Sequence, residues 1–117
     1  MTDNLIDREA WETMKSMTEP AFLVELIDVY LMDSPQLIEQ MRIGLATGEV
    51  ETVRRAAHSL KSNSASFGAM RVADVSRELE MLAKSGTLDG GTSKLAAVEA
   101  AYAQFLPVLE KMKNECL

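Results

Sequence analysis

The sequence predicts an all-α fold, an antiparallel four-helix bundle with additional short N-terminal helices. Three observations carry this. Apolar residues recur at spacings of three and four along most of the 117 residues, the period of a helix face. No run shows the alternation of a strand. Aromatics make up only 5% and prolines number 3, a composition poor in strand formers and chain breakers. The length suits one hydrophobic core, so residues 1–117 are expected to form a single domain.

The elements follow in order. A short helix fits residues 7–17, with Trp11 and Met14 on one side. Thr18, Glu19 and Pro20 signal the next helix start, since proline is tolerated in a first turn. Residues 21–32 are apolar nearly all round. Leu23, Leu26, Ile27 and Tyr30 form one stripe, and Phe22 and Val29 spread beyond it. Such a helix is either deeply buried or keeps part of its surface for a partner. Ser34-Pro35 reads as an N-cap and first helical position. Leu37, Ile38, Met41 and Leu45 continue from there, in a new helix or in the same one after a kink, and Gly48 ends the stretch.

A helix over residues 49–66 puts Val50, Val53, Ala57, Leu60 and Ser64 on its inner stripe. Gly68 punctuates the join to a helix over residues 69–84, with Val72, Val75, Leu79 and Leu82 inward. Residues 85–91 are the clearest loop, rich in turn residues. Leu95, Val98, Tyr102, Phe105, Leu109 and Met112 then alternate spacings of three and four, a bundle seam that Pro107 should kink. The 8 methionines, Met70 and Met81 among them, read as adaptable core filling.

Composition removes several function classes. A net charge of −6 and the lack of basic runs or finger spacings argue against nucleic acid. The acidic start and the short, interrupted apolar stretch over 21–32 argue against a signal peptide and a membrane span, so the protein is expected in the cytoplasm. The only cysteine, Cys116, reads as an incidental thiol in a reducing compartment. There is no phosphate-cradling loop, and one histidine with one cysteine rules out zinc sites of ordinary composition. Glu78 and Glu80, two apart on a helix, face different ways and read as solvated surface.

What remains is the stretch around His58, the only histidine. With about 100° per residue, His58 points roughly 130° from the middle of the inner stripe, toward solvent. Lys61, three residues on, and Arg54, four back, lie on its side of the helix. Ser62, Ala65 and Ser66 add little bulk. A neutral imidazole is a competent nucleophile near pH 7, and phosphoryl transfer needs mostly positioning and charge compensation, which the Lys61 ammonium can supply.

His58-Ser59-Leu60-Lys61 followed by Gly68-Ala69 resembles the signature of histidine-containing phosphotransfer (HPt) domains, His-x-x-Lys-Gly and a Gly-Ala pair ten residues after the histidine. Phe22-Leu23-Val24-Glu25-Leu26 leading to Asp33-Ser34-Pro35 resembles the family's second helix and its break. Arg77-Glu78-Leu79-Glu80 resembles its Leu-Glu segment. One position departs: Ser62 stands where the family has glycine. The resemblance implies a bundle that relays phosphate between receiver-domain aspartates in a two-component phosphorelay. It implies His58 as the phosphorylated residue, Lys61 as its electrostatic helper, and no kinase activity or ATP site. It also implies a receiver packed on the second and third helices, with Phe22, Leu37, Arg54, Ser62 and Ala65 as candidate contacts and Gly68 as a structural residue. The donor would be the receiver domain of a hybrid sensor histidine kinase and the acceptor that of a response regulator. Mg²⁺ would belong to the partner receiver, and the chain itself, expected to be a monomer, would bind no cofactor.

The competing reading is a non-catalytic interaction module that binds through its apolar second helix. A further one is the phosphoacceptor part of a larger kinase, against which the initiator-like Met1 and the complete bundle favour a free-standing chain. Lys61→Ala is expected to slow transfer with little loss of stability, because Lys61 is expected to be exposed.

Overall fold

The structure, a computed structural model, describes residues 6–117; Met1, on which the free-standing expectation rests, lies outside the described residues. Five helices run in order: α1 (Arg8–Met17), α2 (Pro20–Thr47), α3 (Val50–Ser66), α4 (Met70–Lys84) and α5 (Gly91–Glu115). The joins are short, so consecutive helices α2 to α5 pack as antiparallel neighbours. Each touches the next, and α5 returns to α2, which closes a four-helix bundle with α1 laid against α3. Leu23, Ile27, Met41, Val53, Leu60, Val72, Leu79, Val98, Phe105, Leu109 and Met112 fill it. These are the three-and-four stripes of the sequence, and their removal from water is what drives the helices together.

The residues 34–35 do not start a new helix. α2 runs unbroken through Pro35 for 28 residues, and Ser34 is fully buried, its hydroxyl donating to the Tyr30 carbonyl at 2.7 Å. The reason is the core stripe. Leu23, Ile27, Tyr30, Ser34, Ile38 and Met41 continue across the proline without a change of phase, so tertiary packing outweighs the one backbone bond that Pro35 removes. Gly48 ends α2 in the left-handed region, φ 74°, as its position suggested. α5 likewise continues through Pro107, which is exposed, as is Ala103, whose carbonyl loses its partner there and can take water instead.

The methionines are not all core. Met41 and Met112 are buried, but Met70 is 36% and Met81 55% exposed, and Met17 and Met32 face solvent too. On α4 the buried rows are Val72, Val75, Leu79 and Ala73, Ser76, Glu80, Ala83, and Met70 and Met81 lie on the opposite side.

α1 caps one end of the bundle. Asp7 accepts from the backbone N–H groups of Glu9 and Ala10 as its N-cap. Trp11 is wholly buried and donates from Nε1 to Glu115 Oε1 at 3.3 Å, and Lys15 meets the same oxygen at 2.7 Å. The Asp7 N–H donates to the Gly68 carbonyl, so α1 is tied both to the end of α5 and to the α3–α4 turn.

Candidate functional site

α3 buries Val53, Ala56, Ala57, Leu60 and Ser64, and this fixes the phase of everything else on it. His58 comes out on the far side, with a side chain 54% exposed, as the helical arithmetic predicts. Its Nδ1 lies 2.7 Å from Glu80 Oε2 on α4. The other carboxylate oxygen, Glu80 Oε1, lies 2.8 Å from Lys61 Nζ. One carboxylate therefore holds both side chains of the His-x-x-Lys spacing.

Glu80 corrects the reading of residues 78 and 80 as a solvated pair. Glu78 is exposed and reaches toward Lys94, but Glu80 is only 4% exposed. It belongs to the row Ala73, Ser76, Glu80 and Ala83, whose small members let α3 come close. Burial opposes ionisation of Glu80, but the Lys61 ammonium and the His58 ring outweigh it and hold the carboxyl below the ordinary carboxylate range. The ionised carboxylate only accepts hydrogen bonds, so Nδ1 donates to it, and in the neutral form of the ring Nε2 is then the nitrogen with the lone pair. Among the described residues no group is bonded to Nε2. The arrangement presents an oriented imidazole whose Nε2 is free of partners.

Among the described residues there is no group of three or more His, Cys, Asp or Glu that could hold a metal, and no helix is long and apolar enough to cross a membrane.

The family profile of the Hpt domain matches residues 25–106, which includes α3, α4 and most of α2 and α5. The chain belongs to the Hpt domain family. Hpt domains pass phosphoryl groups through a histidine in phosphorelays and interact with receiver domains, and that is this protein's role. Its fold is that of the solved Hpt structures. It is 21% identical to histidine-containing phosphotransfer protein B (HptB) of Pseudomonas aeruginosa PAO1, covering 97% of this chain and 98% of that one with a TM-score of 0.90. It is 24% identical to MtHPt2 of Medicago truncatula, covering 96% and 81%, TM-score 0.77. It is 20% identical to the maize protein ZmHP2, covering 97% and 88%, TM-score 0.80. No curated protein sequence matches the chain.

In this Hpt domain the remaining candidates separate. Between them α2 and α3 leave two grooves that share Asp33 and Asn63. One is lined by Met14, Leu26, Val29, Tyr30 and Phe67 as well, the other by Gln36, Leu37, Gln40 and Ser59. Leu37 thus lines the second groove. Phe22 is 54% exposed and continues the same stripe, since Phe22, Leu26, Val29, Asp33, Gln36 and Gln40 advance by four, three, four, three and four. Ser62 is exposed and Ala65 half-buried on α3, and neither lines a groove. Arg54 is not directed at His58: its guanidinium forks onto Glu51, one turn back, with Nε to Oε1 at 3.0 Å. Gly68 has φ 79°, and a Cβ there would stand 2.5 Å from the Asp7 carbonyl oxygen. Both facts call for glycine. Sequence reasoning missed Glu80 as the partner of His58 and Lys61, and it did not single out Asp33 and Asn63, which line both grooves. For Glu80 the available signal was its place in a three-and-four row with Ala73, Ser76 and Ala83.

Proposed function

We propose that His58 Nε2 is the atom that carries the phosphoryl group, with Glu80 orienting the ring and Lys61 compensating charge. The observation that supports this reading most is the 2.7 Å contact between Nδ1 of the exposed ring and the buried Glu80 carboxylate. The step balances without any proton in flight. The Nε2 lone pair attacks the phosphorus of the partner's aspartyl phosphate, the N–P bond forms as the P–O bond breaks, and the aspartate leaves with the electron pair. The ring becomes a phosphorylated imidazolium, and its positive charge faces Glu80 through Nδ1–H. Lys61 is a partly exposed ammonium one turn along α3. It can share itself between Glu80 and the phosphoryl oxygens, whose charge the partner's Mg²⁺ would also neutralise. Reversal onto a second receiver completes the relay. In this reading the donor is the receiver domain of a hybrid sensor histidine kinase and the acceptor that of a response regulator. The chain acts in the cytoplasm as a single, monomeric domain. The receiver docks over the stripe from Phe22 to Gln40 and over Ser59 and Asn63, which brings its aspartate to His58.

The apolar exposure of α2, which by itself suits a binding module without chemistry, is accounted for as that docking face. The test is labelling by a receiver domain phosphorylated on its aspartate, in Mg²⁺. The protein is expected to take up an acid-labile, alkali-stable label that His58→Gln abolishes while its circular dichroism stays unchanged. Label retained in a folded His58→Gln protein removes His58 from the role.

A further inference from the structure

Two grooves lie along α2 and α3, one of them lined by Ser59, the residue after His58, and one carboxylate stands at their junction. Asp33 lines both, together with Asn63. Every other lining residue is uncharged: Met14, Leu26, Val29, Tyr30, Ser66 and Phe67 in one groove, Gln36, Leu37, Gln40 and Ser59 in the other. Among the described residues no lysine, arginine or histidine lies within ion-pair distance of Asp33. The contrast with the opposite side of α2 is informative. Asp28, about 140° round the helix from Asp33, meets Lys113 of α5 at 2.8 Å. On α3, Lys61 is paired with Glu80, and both Arg54 and Arg55 with Glu51.

We propose that Asp33 sets receiver specificity: it selects receiver domains that present a lysine or arginine over the junction of the two grooves. The inference rests on the reading of this face as the receiver-docking surface. A partner that covers the grooves takes water away from Asp33, and a carboxylate covered without a cationic partner is strongly disfavoured. No cation of the described residues pairs with it. A cationic side chain from the partner relieves that penalty, whereas an apolar or acidic one leaves it in place, so one residue both favours matching receivers and rejects others. The hydrogen-bonding groups around it, Asn63, Ser59, Gln36 and Gln40, carry no charge, so among the described residues Asp33 is the one anion in the grooves for an incoming cation to meet. The remaining apolar wall supplies contact area that any receiver can use, and Asp33 adds the discrimination.

The experiment measures transfer from wild-type, Asp33→Asn and Asp33→Lys proteins, each labelled on His58 with a small-molecule phosphoramidate, to a panel of purified receiver domains in Mg²⁺. The half-saturating receiver concentration and the maximal rate are read separately. For receivers with a cation at the facing position, Asp33→Asn is expected to raise the half-saturating concentration about tenfold and Asp33→Lys by more, with the maximal rate little changed. The salt dependence should flatten in Asp33→Asn. Reversing the receiver's cation to glutamate should restore transfer with Asp33→Lys. Wild-type transfer that both variants match for every receiver, at low and high salt, overturns the role of Asp33 and leaves the docking face standing. Wild-type transfer to no receiver overturns the docking reading and this inference with it.

Discussion

The two side chains that the His-x-x-Lys spacing brings together do not stand alone, because a buried carboxylate from the next helix holds both. This changes what Lys61 is. The sequence suggested an exposed ammonium whose removal leaves stability intact. Its side chain is in fact about a third exposed and paired at 2.8 Å with Glu80, which has almost no access to water. Removing one partner of such a pair strands the other. Lys61→Ala is therefore expected to lower unfolding stability by about 1–3 kcal/mol, read by urea denaturation, as well as to slow transfer. A stability within error of wild type would show that Glu80 is satisfied without Lys61. His58 and Lys61 were legible because helix phase is a property of α3 alone. Glu80 was not, because its burial depends on how closely α4 approaches α3, and charge spacing along one helix carries no information about a neighbouring helix.

At the scale of elements, the stripes located all five described helices, and the misreadings came where packing overrode a local signal. Ser34-Pro35 carries good capping chemistry, yet the stripe from Leu23 to Met41 keeps its phase across it, and burial of that stripe decides the outcome. Gly68 is the opposite case, where the local signal and the tertiary demand agree. Its positive φ gives α3 its exit, and its missing side chain lets the Asp7 backbone approach and hydrogen-bond to its carbonyl. Gly68→Ala meets both a strained backbone and a backbone clash, which α1 can relieve only by moving off the turn. The expected loss is about 1–3 kcal/mol in thermal or urea unfolding. It should come with increased hydrogen exchange at the Asp7 amide and through α1, while α4 stays protected. Unchanged protection of α1 would show that the close approach is dispensable.

The whole molecule is held by one apolar core, with ion pairs spanning α1–α5, α2–α5, α3–α4 and α4–α5. Most of these pairs are on the surface, where each contributes about 0–1 kcal/mol. Lys61–Glu80 differs because the acid is buried, and this gives the protein a defined response to acid. The folded-state pKa of Glu80 lies below its ordinary value of 4.5. A depressed carboxylate contributes its full stabilisation above the unfolded value and loses it as the pH falls through the folded one. Glu115, held down by Lys15 and Trp11 at the α1–α5 contact, acts in the same direction, though more weakly since it is more exposed. Stability should therefore be nearly level from pH 7 to about pH 5 and decline below 4.5. Glu80→Gln isolates the Glu80 share, because the amide has the shape of the protonated acid and none of its charge. At pH 7 the variant should melt lower by about 4–8 °C, corresponding to about 1–2 kcal/mol once partial solvent screening of Lys61 is allowed for. As the pH falls below 4.5 the wild-type carboxyl becomes protonated and loses the same interaction, so the two melting curves should converge. Parallel melts followed by circular dichroism at pH 7, 5, 4, 3 and 2 measure the gap directly. A gap that stays constant through that range would mean that the stabilisation by Glu80 comes from packing and not from its charge, and the account of Glu80 as the anion that orients His58 would fall with it.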